Sequence, residues 1–166
     1  MNSPGPVAVT TPSDREITMT RVFNAPRRMV FDALTKPELV RRWMWGTPGT
    51  TMPVCEVDLR VGGSYRFVWN APGGVTFSIS GIYKEIVAPE RVVSTQVMDP
   101  NWTGEVLSTV VLTDAGGKTT LVNTYLYGTR QLRDGALKSP MESGAEMGYR
   151  HLDELVASLQ SSSVDS

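Results

Sequence analysis

The stretch Tyr65-Arg66-Phe67-Val68-Trp69 carries an aromatic ring at every second position. A period of two puts all three rings on one face of a β-strand. Turn signals bound it on both sides, Gly62-Gly63 before and Pro72-Gly73-Gly74 after. The same grammar continues in both directions. Upstream, Met52 to Leu59 reads as a strand. Downstream, Thr76 to Val87 is a long strand that Gly81 interrupts, the mark of a bulge or bend. Pro89-Glu90-Arg91 then turns into Val92 to Met98, Asp99-Pro100-Asn101 into Glu105 to Thr113, and Gly116-Gly117 into Thr119 to Tyr127. Links this short join neighbouring antiparallel strands, so the middle of the chain reads as a meander.

The flanks are different. Glu16 to Phe23 alternates, with Ile17, Met19 and Phe23 on one face, and reads as a first strand. Pro26 suits the first turn of a short helix with Val30, Phe31 and Leu34 as its apolar stripe. Thr35-Lys36-Pro37-Glu38 has the spacing of a capping box and starts a second short helix, to about Trp43. At the other end, Met141, Ala145, Gly148, Leu152, Leu155, Val156 and Leu159 recur every three or four residues, the stripe of one long amphipathic helix starting at Pro140. Glu142, Glu146, Arg150 and Glu154 fall on its polar side. The expected architecture is α+β: a curved antiparallel sheet, two short helices after the first strand, and one long C-terminal helix wrapped against the sheet. One helix cannot fill a bent sheet at crystal-like density, so a hollow between them is expected.

The 166 residues suit one domain, assigned here to residues 15–160, with a disordered lead-in at 1–14 and a frayed tail at 161–166. A net charge of -1 gives no reason to expect nucleic acid, and no apolar run reaches the roughly 18 residues of a membrane span. The lead-in lacks the basic start and apolar core of a signal peptide, and Cys55 is the single cysteine. A reducing, cytoplasmic setting is the expectation.

Several of these segments resemble a known family. Arg21-Val22-Phe23-Asn24-Ala25-Pro26, Val30-Phe31 and Ala33-Leu34-Thr35 are similar to the start of a START-like (SRPBCC) domain. Trp43 to Gly46, Val54 to Gly63, Tyr65-Arg66-Phe67, Gly81 to Ile86 and Pro89 to Val93 resemble its bacterial branch related to the C-terminal domain of the activator of heat-shock-protein-90 ATPase. The resemblance covers about Glu16 to Leu159. It implies a helix-grip fold with a cavity between sheet and C-terminal helix. Relatives bind lipids, steroids, polyketides and plant hormones, and a few are cyclases or dehydratases. The chain departs from the branch at Trp43-Met44-Trp45, where adjacent tryptophans are frequent, and at Gly148-Tyr149, where Gly-Trp is usual. Both lie near the expected pocket mouth.

Candidate cavity residues are Trp43, Trp45, Tyr65, Phe67, Trp69, Phe77 and Ile79, with Met141, Ala145, Gly148 and Leu152 from the last helix. Apolar and aromatic walls with a few polar tips suit a hydrophobic ligand. Candidate polar anchors are Arg21, Tyr83, Glu85 and Asn123. Arg21 shares parity with Ile17, Met19 and Phe23, so it needs a partner, and a structural salt bridge is favoured over a ligand anion. Glu56, Asp58 and Arg60 alternate with Cys55, Val57 and Leu59 and read as a solvated face rather than an acid–base pair. One histidine, His151, and one cysteine are too few for a zinc site, and no local signature supports a Cys55–His151 nucleophilic pair. The double glycines lie between strands and read as turns, not phosphate loops.

No catalytic residue, metal or cofactor is assigned. The leading expectation is binding of a small, mainly hydrophobic molecule. A second is a protein-interaction role resembling chaperone ATPase activation or stress response, with Trp43-Met44-Trp45 as anchor. A third is an enzyme acting on a bound hydrophobic substrate, through a polar pair drawn from Arg21, Tyr65, Tyr83, Glu85 and Asn123. A homodimer is the default oligomer.

Overall fold

The computed structural model describes residues 5–99 and 104–164. The elements run β1 (Ala8–Thr10), β2 (Glu16–Phe23), α1 (Arg27–Thr35), α2 (Pro37–Val40), β3 (Thr51–Val57), β4 (Ser64–Ala71), β5 (Val75–Val87), β6 (Arg91–Asp99), β7 (Val106–Ala115), β8 (Lys118–Leu126), α3 (Arg130–Lys138) and α4 (Met141–Val164). The strands form one antiparallel sheet in the order β1-β2-β8-β7-β6-β5-β4-β3. The meander from β3 to β8 is therefore as expected, and α1 and α2 carry the chain from β2 to the far side of the sheet.

Local chemistry sets these elements. Ala115 pairs with Lys118, which leaves Gly116-Gly117 as a two-residue hairpin with φ of 62° and 83°. Positive φ at both positions fits the strand twist, and glycine takes it without Cβ strain. At Gly81 the constraint is space rather than φ: a Cβ there would run into the carbonyl of Thr95. The register shift of β5 lies just beyond, between Tyr83 and Glu85.

Two packed regions make up most of the inner side, and a smaller third lies under α3. Under α4, Tyr149, Leu152, Leu155 and Val156 pack with Met19, Phe23, Leu112 and Leu121 from β2, β7 and β8. Under α2, Val40 packs with Met52, Cys55, Tyr65, Phe67, Trp69 and Tyr83 from β3, β4 and β5. Met44, Ile86 and Val92 touch both regions and mark the seam.

The structure adds to these expectations and corrects one of them. The lead-in is not uniformly disordered: Ala8–Thr10 pairs with Thr18 to Thr20 of β2, and Val7 is buried with its N–H donating to Glu146. Residues 1–4 and the Pro100-Asn101 part of the β6–β7 turn lie outside the described residues. Helix α4 runs to Val164, and residues 165–166 of the expected tail lie outside the described residues. The capping box does not form. Thr35 ends α1 and its hydroxyl donates back to Phe31 O at 2.8 Å, while Lys36 caps α2 without a side-chain bond. Finally, α3 occupies a stretch that the sequence reading left unassigned. Thr129 caps it by accepting from Leu132 N, and Ala136 and Leu132 pack beside Ile17 and Tyr127.

Candidate functional site

The meander register lays four polar side chains across the sheet. Tyr83 on β5 pairs with Ser94 on β6, Ser94 with Ser108 on β7, and Ser108 with Tyr125 on β8. Directly paired residues project from the same face. Ser108 shares the parity of the buried Val106 and Leu112, so this is the inner face. Tyr83, Ser94 and Ser108 are buried and Tyr125 is half-buried. A polar row thus crosses an otherwise apolar interior.

Its hydrogen bonds are specific. Ser108 Oγ donates to Asn123 Oδ1 at 3.1 Å, and Asn123 Nδ2 donates to Tyr125 Oη at 2.8 Å. Tyr65 Oη, beside this row on β4, donates to Thr95 O at 2.6 Å. Tyr83 is 5 % exposed and its hydroxyl makes no hydrogen bond among the described residues. Every fully enclosed side-chain N or O among those residues has a partner. The Tyr83 hydroxyl must therefore retain accessible surface of its own.

Burial governs the phenol acidities. It pushes Tyr65 and Tyr149 up to about 12, drives Tyr83 higher, and raises Tyr125 well above the ordinary value of 10. Nearby phenols add to the effect, Tyr65 on both Tyr83 and Tyr125, and Tyr149 on Tyr125. All of them are neutral at physiological pH. Tyr125 combines this strong desolvation with incomplete burial.

Of the candidate anchors, Tyr83 and Asn123 lie at this row. Arg21 is buried on the inner face of β2 but is fully engaged by α4: Nε lies 3.1 Å from Glu146 Oε1 and Nη2 2.8 Å from Asp153 Oδ2. It is the structural ion pair the sequence favoured. Glu146 is correspondingly turned inward, against its expected place on the solvent side of the helix. Burial opposes its ionisation, but bonds from Arg150, Arg21 and the Val7 N–H outweigh this and hold its carboxyl below the usual value. Glu85 is not an inner anchor. It follows the β5 register shift, is half exposed, and accepts from Arg91 Nε at 3.0 Å.

The aromatic candidates divide between the two packed regions. Tyr65, Phe67 and Trp69 are buried on β4, with Phe77 stacked on Trp69 across the strand pair at 5.0 Å and Ile79 beside them. Trp69 Nε1 donates to Met44 O, and Trp43 Nε1 to Ala33 O at 2.7 Å. The first bond holds the turn after α2 against β4 of the sheet, and the second ties it to α1. Trp43 is buried, facing Gly148 of α4. Trp45 is half-buried and stacks on His151 at 3.8 Å. Leu152 is fully buried, while Met141 and Ala145 pack partly buried against the same region. Trp43 and Met44 are thus turned inward, with Trp45 half-buried against His151.

Glu56, Asp58 and Arg60 are exposed. Leu59 is exposed too, because β3 ends at Val57. Cys55 Sγ lies 3.6 Å from Pro37 O and His151 Nε2 3.0 Å from Gly46 O, so each has its own backbone partner. No group of three or more His, Cys, Asp or Glu side chains is placed to hold a metal among the described residues. No helix among them is long and apolar enough to cross a membrane. An open groove of ≈ 430 Å³ lies elsewhere, lined by Val7, Leu137, Pro140, Ser143 and Glu146 among others.

An antiparallel meander with a long helix packed on one face, and a polar row on that same face, is a helix-grip domain. Residues 24–157 match the family model described as activator of Hsp90 ATPase homolog 1-like protein, and the chain belongs to that family, within the SRPBCC superfamily. A protein from Rhodobacter sphaeroides is 30% identical, with 93% of this chain and 99% of that one covered and a TM-score of 0.87. Protein CV1439 from Chromobacterium violaceum is 25% identical over 87% of this chain and 98% of its own, with a TM-score of 0.72. Protein Ms6760 from Mycobacterium smegmatis shares the fold at 21% identity, a TM-score of 0.80, and 91% and 97% coverage. None of the curated proteins matches the chain.

Tyr125 and Ser108 of the polar row, and Tyr149 near it, are not among the sequence candidates. The signal for Tyr125 was its shared parity with Asn123. For Tyr149 it was the replacement of the usual Trp after Gly148.

Proposed function

We propose that this protein binds a small, mainly hydrophobic molecule in a hollow between the sheet and α4, at the seam between the two packed regions. Tyr125 carries the reading. Burial raises its phenol well above the ordinary value, and it packs partly buried beside the region under α4, next to the polar row. The seam residues Met44, Ile86 and Val92 give the wall of the hollow an apolar character, and a sparse polar row is what fixes a ligand's orientation in such a site.

The inward turn of Trp43 and Met44 favours this over a partner-docking role. Native mass spectrometry of freshly purified protein, repeated after denaturation, tests it. A small molecule retained in the native spectrum and released on denaturation is the expected result. An empty protein whose melting temperature is also indifferent to a panel of lipids, steroids and aromatics contradicts it.

A further inference from the structure

Building on the hollow proposed above, we propose that Tyr83 and Tyr125 each offer an unspent hydroxyl proton to an uncharged ligand, so that the site selects apolar molecules bearing a carbonyl over hydrocarbons and over carboxylates.

The donor count carries the argument. Asn123 Nδ2 donates to Tyr125 Oη and uses an oxygen lone pair. The Tyr125 hydroxyl proton is left with no acceptor among the described residues. The Tyr83 hydroxyl has neither donor nor acceptor partner there, although the residue is 5 % exposed. Tyr65 is different: its proton is already given to Thr95 O. The row therefore offers two unspent O–H donors at an apolar surface. Thr95 O already accepts from Tyr65, and Asn123 Oδ1 from Ser108. A hydroxyl proton with no acceptor in the wall is paired by a ligand oxygen. A hydrocarbon would cover both donors without pairing them, the costly way to bury a polar group.

Charge narrows the class further. Arg21 is the buried cation on this face, and Glu146 and Asp153 hold it. A ligand carboxylate would lose its hydration and meet no free cation in exchange. The phenols stay neutral because burial raises their acidities, so they offer dipoles rather than charge.

Benzophenone and diphenylmethane have nearly the same shape and differ at one oxygen, and diphenylacetate adds a negative charge. Calorimetric titration of the full chain with each probe separates the possibilities. The wild-type protein is expected to bind benzophenone about tenfold more tightly than diphenylmethane, the ratio set by a typical net hydrogen bond, and diphenylacetate more weakly than either. In Tyr83→Phe/Tyr125→Phe, the ketone preference is expected to vanish while diphenylmethane binds as before, which also reports that the variant is folded. Equal wild-type affinities for ketone and hydrocarbon overturn the donor assignment and leave the hollow standing. Failure of every probe to bind overturns both. If the double variant does not fold, the wild-type ratio alone decides.

Discussion

Arg21 of β2 and Glu146 of α4 meet at 3.1 Å across 125 residues of sequence. The same carboxylate accepts the Val7 N–H at 2.9 Å, so one side chain ties the N-terminal segment, the sheet and the long helix together. Arg21→Ala takes the buried cation from the half-buried Asp153 carboxylate and leaves Glu146 with Arg150 and the Val7 N–H. It is expected to cost about 3 kcal/mol, the scale of breaking a buried pair from one side, as measured by urea denaturation. Glu146 is held below its usual 4.5. Its contribution is thus present above pH 4.5 and lost as pH falls through the lowered value. Glu146→Gln should flatten that part of the acid limb.

Gly148 tests the packing of α4 on the turn after α2. A Cβ there would lie 3.6 Å from Trp43 Cζ3, an ordinary contact. Gly148→Ala should therefore stabilise the protein by about 0.5–1 kcal/mol through helix propensity. Gly148→Leu should instead destabilise it by about 1–3 kcal/mol by overpacking. Thermal unfolding of the two variants gives opposite shifts if Trp43 is seated as described.

The phenols predict the alkaline limit. Tyr65, Tyr127 and Tyr149 are raised from 10 to about 12 by burial, so folding disfavours their ionised forms. Their contribution is present below pH 10 and lost as pH rises toward 12. Tyrosinate absorbance of the native protein should stay low past pH 10 and rise together with loss of structure. Phenols that titrated near 10 with the fold intact would contradict their burial.

Cys55 should be inert. Burial is the main cause that raises its thiol above the usual value, and the buried sulfur lies against Pro37 O. Alkylation by iodoacetamide is expected to be slow in buffer and fast in urea. Rapid native labelling would place the strand end outside the core.

The sheet was legible because each meander strand carries its own period of two between glycine or proline turns. β2 was readable to the residue at Glu16–Phe23. β1 was not, since three residues beside prolines give too little pattern. Nor was α3, because Arg130–Lys138 contains Gly135 and offers mainly Leu132 and Ala136 to the interior. The site was only half legible. Parity exposes Asn123 and the aromatic run of β4, but the polar row depends on the register of four strands. That register is a long-range property which no single segment encodes. Glu85 was misplaced for the same reason, since the shift after Tyr83 changes the face on which it falls.

The central claim is a hollow at the seam of the two packed regions, and methyl and aromatic NMR spectra recorded during a diphenylmethane titration test it most directly. The account predicts that the perturbed signals converge on Met44, Ile86, Val92 and Tyr125. Perturbations confined to Val7, Leu137 and the open groove beside α4, or none at saturating probe, would contradict it.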